Sequence, residues 1–184
     1  MPSNKFSSSQ SSAKGLVQIF TGNGRGKTSA ALGTVMRASG YGLKTYIIFF
    51  LKGRHDLGEY KILSQLPNVD WAIFGRNDFF GPSDATPKDR ELTGLALASA
   101  RKALRSGQYD LVVLDEVNTA AAWGFIELED VVRLIKEKPP DVELILTGRY
   151  ADARLFELAD LVTEMVSIKH PYDEGMGARR GIDY

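Results

Sequence analysis

The chain has 184 residues, 23 basic against 23 acidic side chains, no cysteine and two histidines. The length suits one domain with a substantial core, and the charge balance speaks against duplex nucleic acid as the main partner. Without cysteine there are no disulfides, thiolate metal centres or cysteine nucleophiles, and His55 and His170 are too few for a metal site built mainly from histidine.

No apolar run approaches the length of a membrane span, so no membrane is expected as a partner. Residues 1–14 are serine-rich and lack the apolar stretch of a secretory signal. They read as a disordered tail, or as a flap that orders over substrate, ahead of one domain over residues 15–184. The expected location is the cytoplasm.

Apolar, β-rich runs alternate with helical patterns along that domain. Strands are expected at Leu16–Phe20, Lys44–Leu51, Val69–Phe74, Tyr109–Leu114, Val142–Thr147 and Leu161–Ile168. The near-continuous apolar character of the second and fourth suits parallel strands covered on both faces. Helices are expected from Gly26 to about Gly40, at Leu57–Leu66, from Pro87 to near Gly107, at Leu128–Lys138 and at Ala153–Ala159. In the first helix Ala30, Ala31, Val35 and Met36 are expected to form the buried face. Residues 75–87 and 169–184 read as loop. The alternation predicts a single-domain α/β fold of the P-loop NTPase-like (RecA-like) kind, with a mainly parallel sheet of about six strands between helical layers. Ligands of such sheets bind at the carboxyl ends of the strands.

The sequence Thr21-Gly22-Asn23-Gly24-Arg25-Gly26-Lys27-Thr28 follows the first strand and opens the first helix, the context a phosphate-binding loop needs. Its glycines let backbone N–H groups face phosphate oxygens, and the helix N-terminus adds positive potential. Lys27 brings a point charge to phosphate and the Thr28 hydroxyl is placed to ligate Mg²⁺; Ser29 follows in the same turn. The usual pattern has Gly where Thr21 stands. The fourth strand ends in Asp115-Glu116, which resembles a Walker B element. Both carboxylates suit a hard cation opposite Thr28, while either is also suited to cap the next helix.

Further motifs recur in order. They are Phe50-Leu51-Lys52-Gly53, Leu114-Asp115-Glu116 with Asn118, Thr147-Gly148-Arg149, Ala159–Met165, Lys169-His170-Pro171-Tyr172 and the closing Gly181-Ile182-Asp183-Tyr184. Together with the phosphate loop, whose first-position threonine also fits, they make residues 15–184 resemble the P-loop ATP:corrinoid adenosyltransferases. The resemblance implies that Co(I) of a corrinoid attacks C5′ of ATP and displaces triphosphate, so that no protein nucleophile is needed. It also implies ATP lying reversed in the loop, Mg²⁺ (or Mn²⁺) as cofactor, a homodimer, and a reduced flavoprotein as electron donor.

On this reading Lys27, Thr28 and Glu116 are catalytic. ATP contacts run from Gly22 through Ser29 and include Arg149, for which a surface ion pair is the competing role. The metal ligands are Thr28, Asp115 and Glu116. Some family members carry a Gly-Phe-Thr-Trp segment after the third strand; here the stretch is Phe74–Phe80, without the tryptophan. Phe79 and Phe80 are the candidates for the apolar wall beneath the corrin, with loop packing as the alternative. Trp123 reads as core rather than pocket wall, His55 as a loop residue, and His170 as structural or close to the pocket. A P-loop ATPase or small-molecule kinase with Glu116 as base is the alternative function, and a non-enzymatic nucleotide-dependent module a third.

Overall fold

The computed structural model describes residues 14–78 and 80–183. The tail expected over residues 1–14 lies outside these except for Lys14, and so does Phe79.

Six strands form one all-parallel sheet in the order β3-β2-β4-β5-β1-β6. They are β1 Val17–Thr21, β2 Thr45–Phe50, β3 Val69–Phe74, β4 Leu111–Asp115, β5 Glu143–Thr147 and β6 Leu161–Glu164. The helices are α1 Lys27–Gly40, α2 Gly58–Leu63, α3 Pro87–Arg105, α4 Val117–Ala122, α5 Leu128–Lys136 and α6 Ala153–Phe156.

The order dictates where the helices go. From β1 to β2 to β3 the chain steps one way along the sheet, and from β3 onward it steps back the other way. Right-handed crossovers put connections of opposite direction on opposite faces. Ala31, Val35 and Ala38 of α1 and Tyr60 and Leu63 of α2 accordingly pack on one face, against Phe20, Ile47, Phe49, Val113 and Ile145. On the other face α3, α4, α5 and α6 pack against Ile19, Ile48, Phe50, Leu114 and Leu146. Adjacent residues of β2, β4 and β5 thus feed opposite cores, which explains their unbroken apolar runs.

The differences from expectation are local. Met36 is 70% exposed and faces the cavity described below, while Ala38 takes its place in the buried stripe of α1. The short helix α4 is not among the expected elements; Glu116 stands at its N-cap position and makes no side-chain capping bond. Strand β6 stops at Glu164 rather than Ile168, because Met165 turns to hydrogen-bond the phosphate loop. Among the described residues no helix is long and apolar enough to cross a membrane.

Candidate active site

The carboxyl ends of β1, β2, β4 and β5 open into one cavity of about 980 Å³. The phosphate loop forms one side of it, from Asn23 to Ser29. Thr21, where the usual pattern has glycine, is buried, and its hydroxyl accepts the backbone N–H of Ala151 at 3.3 Å. The threonine therefore ties the loop to the segment after β5. Gly22 has φ +94°, and a Cβ there would stand 2.4 Å from the carbonyl oxygen of Met165. Met165 also holds the loop directly, accepting the N–H of Gly24 at 2.6 Å and donating its own to Thr21 at 2.9 Å.

The loop's side chains divide into two sets. Asn23 and Arg25 hold the loop to the C-terminal segment. Asn23 Oδ1 accepts the N–H of Ser167 at 3.1 Å, and the Arg25 guanidinium reaches Asp183 at 2.9 Å and the carbonyl of Ile182. Lys27 and Thr28 turn instead to the loop's own backbone and to the end of β4. Lys27 is 7% exposed and donates to the carbonyl of Gly24 at 2.7 Å. Burial holds its ammonium below the ordinary lysine range, with Glu116 pulling the other way.

Asp115, at the end of β4, is 1% exposed and fully engaged. Its Oδ1 accepts the hydroxyls of Thr28 at 2.9 Å and Thr147 at 2.6 Å, and its Oδ2 accepts the ammonium of Lys52 at 2.5 Å. Lys52 also stands 3.4 Å from Thr28 Oγ1. Burial works to lower the pKa of Lys52, but the carboxylates of Asp115 and Glu116 outweigh it and hold the ammonium above the ordinary range.

Glu116 has a left-handed backbone, φ 65°. Such a conformation costs a non-glycine residue on the order of 1 kcal/mol and clusters at functional sites. It is clamped from two sides: its N–H reaches Thr147 Oγ1 at 2.9 Å, and its Oε2 accepts the Thr119 hydroxyl at 2.6 Å. The side chain caps no helix N–H and lines the cavity. Leu51 and Tyr150, at the ends of β2 and β5, share the left-handed backbone at φ 58° and 60° and also line the cavity. Among the described residues no group of three or more His, Asp or Glu side chains forms a metal cage. The hydroxyl–carboxylate pair Thr28–Asp115 instead suits an ion that takes its remaining ligands from phosphate and water.

The family model described as ATP:corrinoid adenosyltransferase BtuR/CobO/CobP matches residues 13–184. A protein named corrinoid adenosyltransferase from Escherichia coli (strain K12) is 35% identical over 171 residues, covering 93% of this chain and 86% of that protein. One of the same name from Sinorhizobium sp is 32% identical over 182 residues, 98% of this chain and 85% of that one. The corrinoid adenosyltransferase CobA of Salmonella typhimurium is 33% identical over 171 residues, 93% of this chain and 86% of that one. This chain belongs to the ATP:corrinoid adenosyltransferase family.

In this member of the family the fold brings Lys27, Thr28, Asp115 and Glu116 together. Arg149 lines the same cavity and makes no ion pair with a described residue; Thr119 Oγ1 accepts its backbone N–H at 2.9 Å. Phe80 is buried, with the Arg76 guanidinium 4.0 Å over its ring and Phe125 stacked at 6.0 Å. It therefore packs its loop and also borders the cavity. Trp123 is half-buried, lines the cavity and meets Phe80 edge-on at 6.1 Å, so it is pocket wall as well as packing. His55 is exposed and does not line the cavity, whereas His170 does, with Nδ1 accepting the N–H of Tyr172.

Sequence reasoning missed Lys52 and Thr147 as site residues. Both stand in the recurring motifs, which were the available signal. Their roles arise from the strand order, which sets β2 and β5 on either side of Asp115.

Proposed function

We propose that this chain transfers the 5′-deoxyadenosyl group of ATP to Co(I) of a corrinoid, in adenosylcobalamin biosynthesis or salvage. The observation that carries this reading is one continuous cavity in a member of this family. The phosphate loop and the large apolar side chains of Met36, Leu57, Phe80, Trp123 and Tyr150 all line it. A lining that joins phosphate-loop groups to large apolar side chains suits a triphosphate and a large apolar partner held in one space.

In the reaction the Co(I) lone pair attacks C5′. The C5′–oxygen bond breaks, and triphosphate leaves with the bonding electrons. The protein's work is to hold C5′ in line and to stabilise charge growing on the leaving group. Lys27, the loop N–H groups and Arg149 serve the triphosphate. Thr28 and Asp115, with Glu116 beside them, would hold Mg²⁺, or Mn²⁺ in its place. The seat fits a cation, since Lys52 already sets a positive charge against both oxygens. When bound, the ion supplies Lewis-acid neutralisation of phosphate charge. Phe80 and Trp123 wall the corrin side and offer cobalt no strong donor atom. On the same reading the enzyme works in the cytoplasm as a homodimer, and a reduced flavoprotein supplies the electron.

The test mixes protein, MgATP and chemically reduced cobalamin, follows the visible spectrum and identifies the phosphate product. Conversion to the alkyl–cobalt spectrum with equimolar intact triphosphate is expected. Orthophosphate or a phosphorylated acceptor would assign an ATPase or kinase instead.

A further inference from the structure

The Thr28–Asp115 pair already carries a cation. The Lys52 ammonium lies 2.5 Å from Asp115 Oδ2 and 3.4 Å from Thr28 Oγ1. A magnesium ion sits about 2.0–2.1 Å from its oxygen ligands. An ion bound by these two residues and the Lys52 ammonium in its present place would therefore be in near contact, as like charges sharing one carboxylate. An ion bound directly there and the ammonium in its present place therefore compete for Asp115 Oδ2.

The backbone on either side of Lys52 is closely packed, so the movement the exchange calls for is one of the side chain. Leu51 before it is left-handed. Gly53 after it packs so closely on the β3 loop that a Cβ would stand 2.4 Å from the carbonyl oxygen of Gly75. A Cβ on Gly75 would meet the backbone nitrogen of Lys52 at the same distance. The side chain itself is 25% exposed, lines the cavity and has a flexible four-carbon stem. It has somewhere to go, namely the space the triphosphate enters.

We propose that Lys52 is the resident cation of the metal seat: it neutralises Asp115 in the ligand-free protein, and it yields that carboxylate to the divalent ion when metal and nucleotide arrive, its ammonium passing to the triphosphate. Buried Asp115 is then never left without a counter-charge, a state that is costly in a protein interior. Metal alone binds poorly because it must evict Lys52 with nothing to receive it. Metal with ATP binds well because the triphosphate takes the ammonium. Lys52 is thereby a positioning residue before nucleotide binds and a phosphate ligand afterwards. This rests on the MgATP part of the proposed function and is independent of the corrinoid part.

The experiment measures Mn²⁺ binding by electron paramagnetic resonance, without corrinoid, in wild type, Lys52→Met and Lys52→Met with Asp115→Asn. Without nucleotide, Lys52→Met should bind Mn²⁺ about ten-fold or more tightly than wild type, a coupling of ordinary size between competing ligands. The gain should vanish in the double variant. ATP should raise the Mn²⁺ affinity of Lys52→Met by a smaller factor than that of wild type, since no ammonium is left for the triphosphate to receive. Equal Mn²⁺ affinity in wild type and Lys52→Met would overturn the proposal. A crystal structure of wild type with Mn²⁺ and ATP provides the second measurement, should Lys52→Met fail to fold. Lys52 Nζ must have left Asp115 Oδ2 with the ion on Thr28, and a lysine still on Asp115 beside that ion would also overturn it. Neither measurement involves adenosyl transfer, so a failure of that reaction would not be mistaken for a failure here.

Discussion

The hydroxyl of Thr147 serves both acids at the end of β4, donating to Asp115 Oδ1 at 2.6 Å and accepting the N–H of Glu116 at 2.9 Å. One side chain on β5 thus orients the carboxylate opposite Thr28 and clamps the left-handed turn that follows. Thr147→Val keeps the branched shape and removes both bonds. It strands the Glu116 N–H beside a buried carboxylate short of one donor. Leaving such a group unsatisfied costs about 1–3 kcal/mol, and urea unfolding should show a loss of that size. Adenosylation should fall as well; unchanged stability would mean that neither bond matters.

Lys27→Ala should abolish useful turnover while the fold survives. The ammonium is buried by the phosphate loop, and on the proposed reaction it stabilises charge moving onto triphosphate. Removing one such contact commonly costs about 100-fold or more in rate. The check is the adenosylation rate beside a circular dichroism spectrum, and near-normal turnover in a folded variant would contradict the assignment.

Glu116→Gln preserves size and the hydrogen bond from Thr119 but removes the charge. We expect metal-dependent catalysis to weaken more than stability does. A titration of rate against Mg²⁺ should shift to higher concentration, and an unshifted curve with normal rate would leave Glu116 a structural role only.

How much of this was legible beforehand follows from what each feature depends on. The phosphate loop and the acidic strand end are local in sequence, and both converge where expected. The partners of Asp115 are not local: Lys52 and Thr147 reach it only because β2 and β5 flank β4. Met36 has the helical spacing of a core residue, yet it meets the cavity instead of the sheet. Among the described residues strand β6 has only β1 beside it, so apolar character beyond Glu164 could not reveal that the chain bends there to floor the loop.

Phe80 bears on the cobalt side of the proposed reaction. An apolar wall helps reduction to Co(I) by excluding water and any axial donor from the metal. Phe80 is also packed against Arg76, Trp123 and Phe125, so truncation to alanine would cost about 3–5 kcal/mol of stability. Phe80→Leu keeps most of the volume. Starting from Co(II) with a flavoprotein reductant, this variant should lose activity; given Co(I) directly, it should lose much less. Equal losses in the two assays would assign Phe80 to packing or binding.

The strand order also governs when the site comes into being during synthesis. The phosphate loop is among the first segments of the domain to leave the ribosome, but among the described residues its strand β1 pairs only with β5 and β6, and Met165 supplies hydrogen bonds to its backbone. For most of translation the loop lacks these backbone partners. Pairings this distant are slow to form, and the unpaired apolar β1 is exposed to aggregation while they are awaited. A nascent chain stalled before Met165 should therefore bind no nucleotide, and nucleotide binding would report completion of the sheet's far edge.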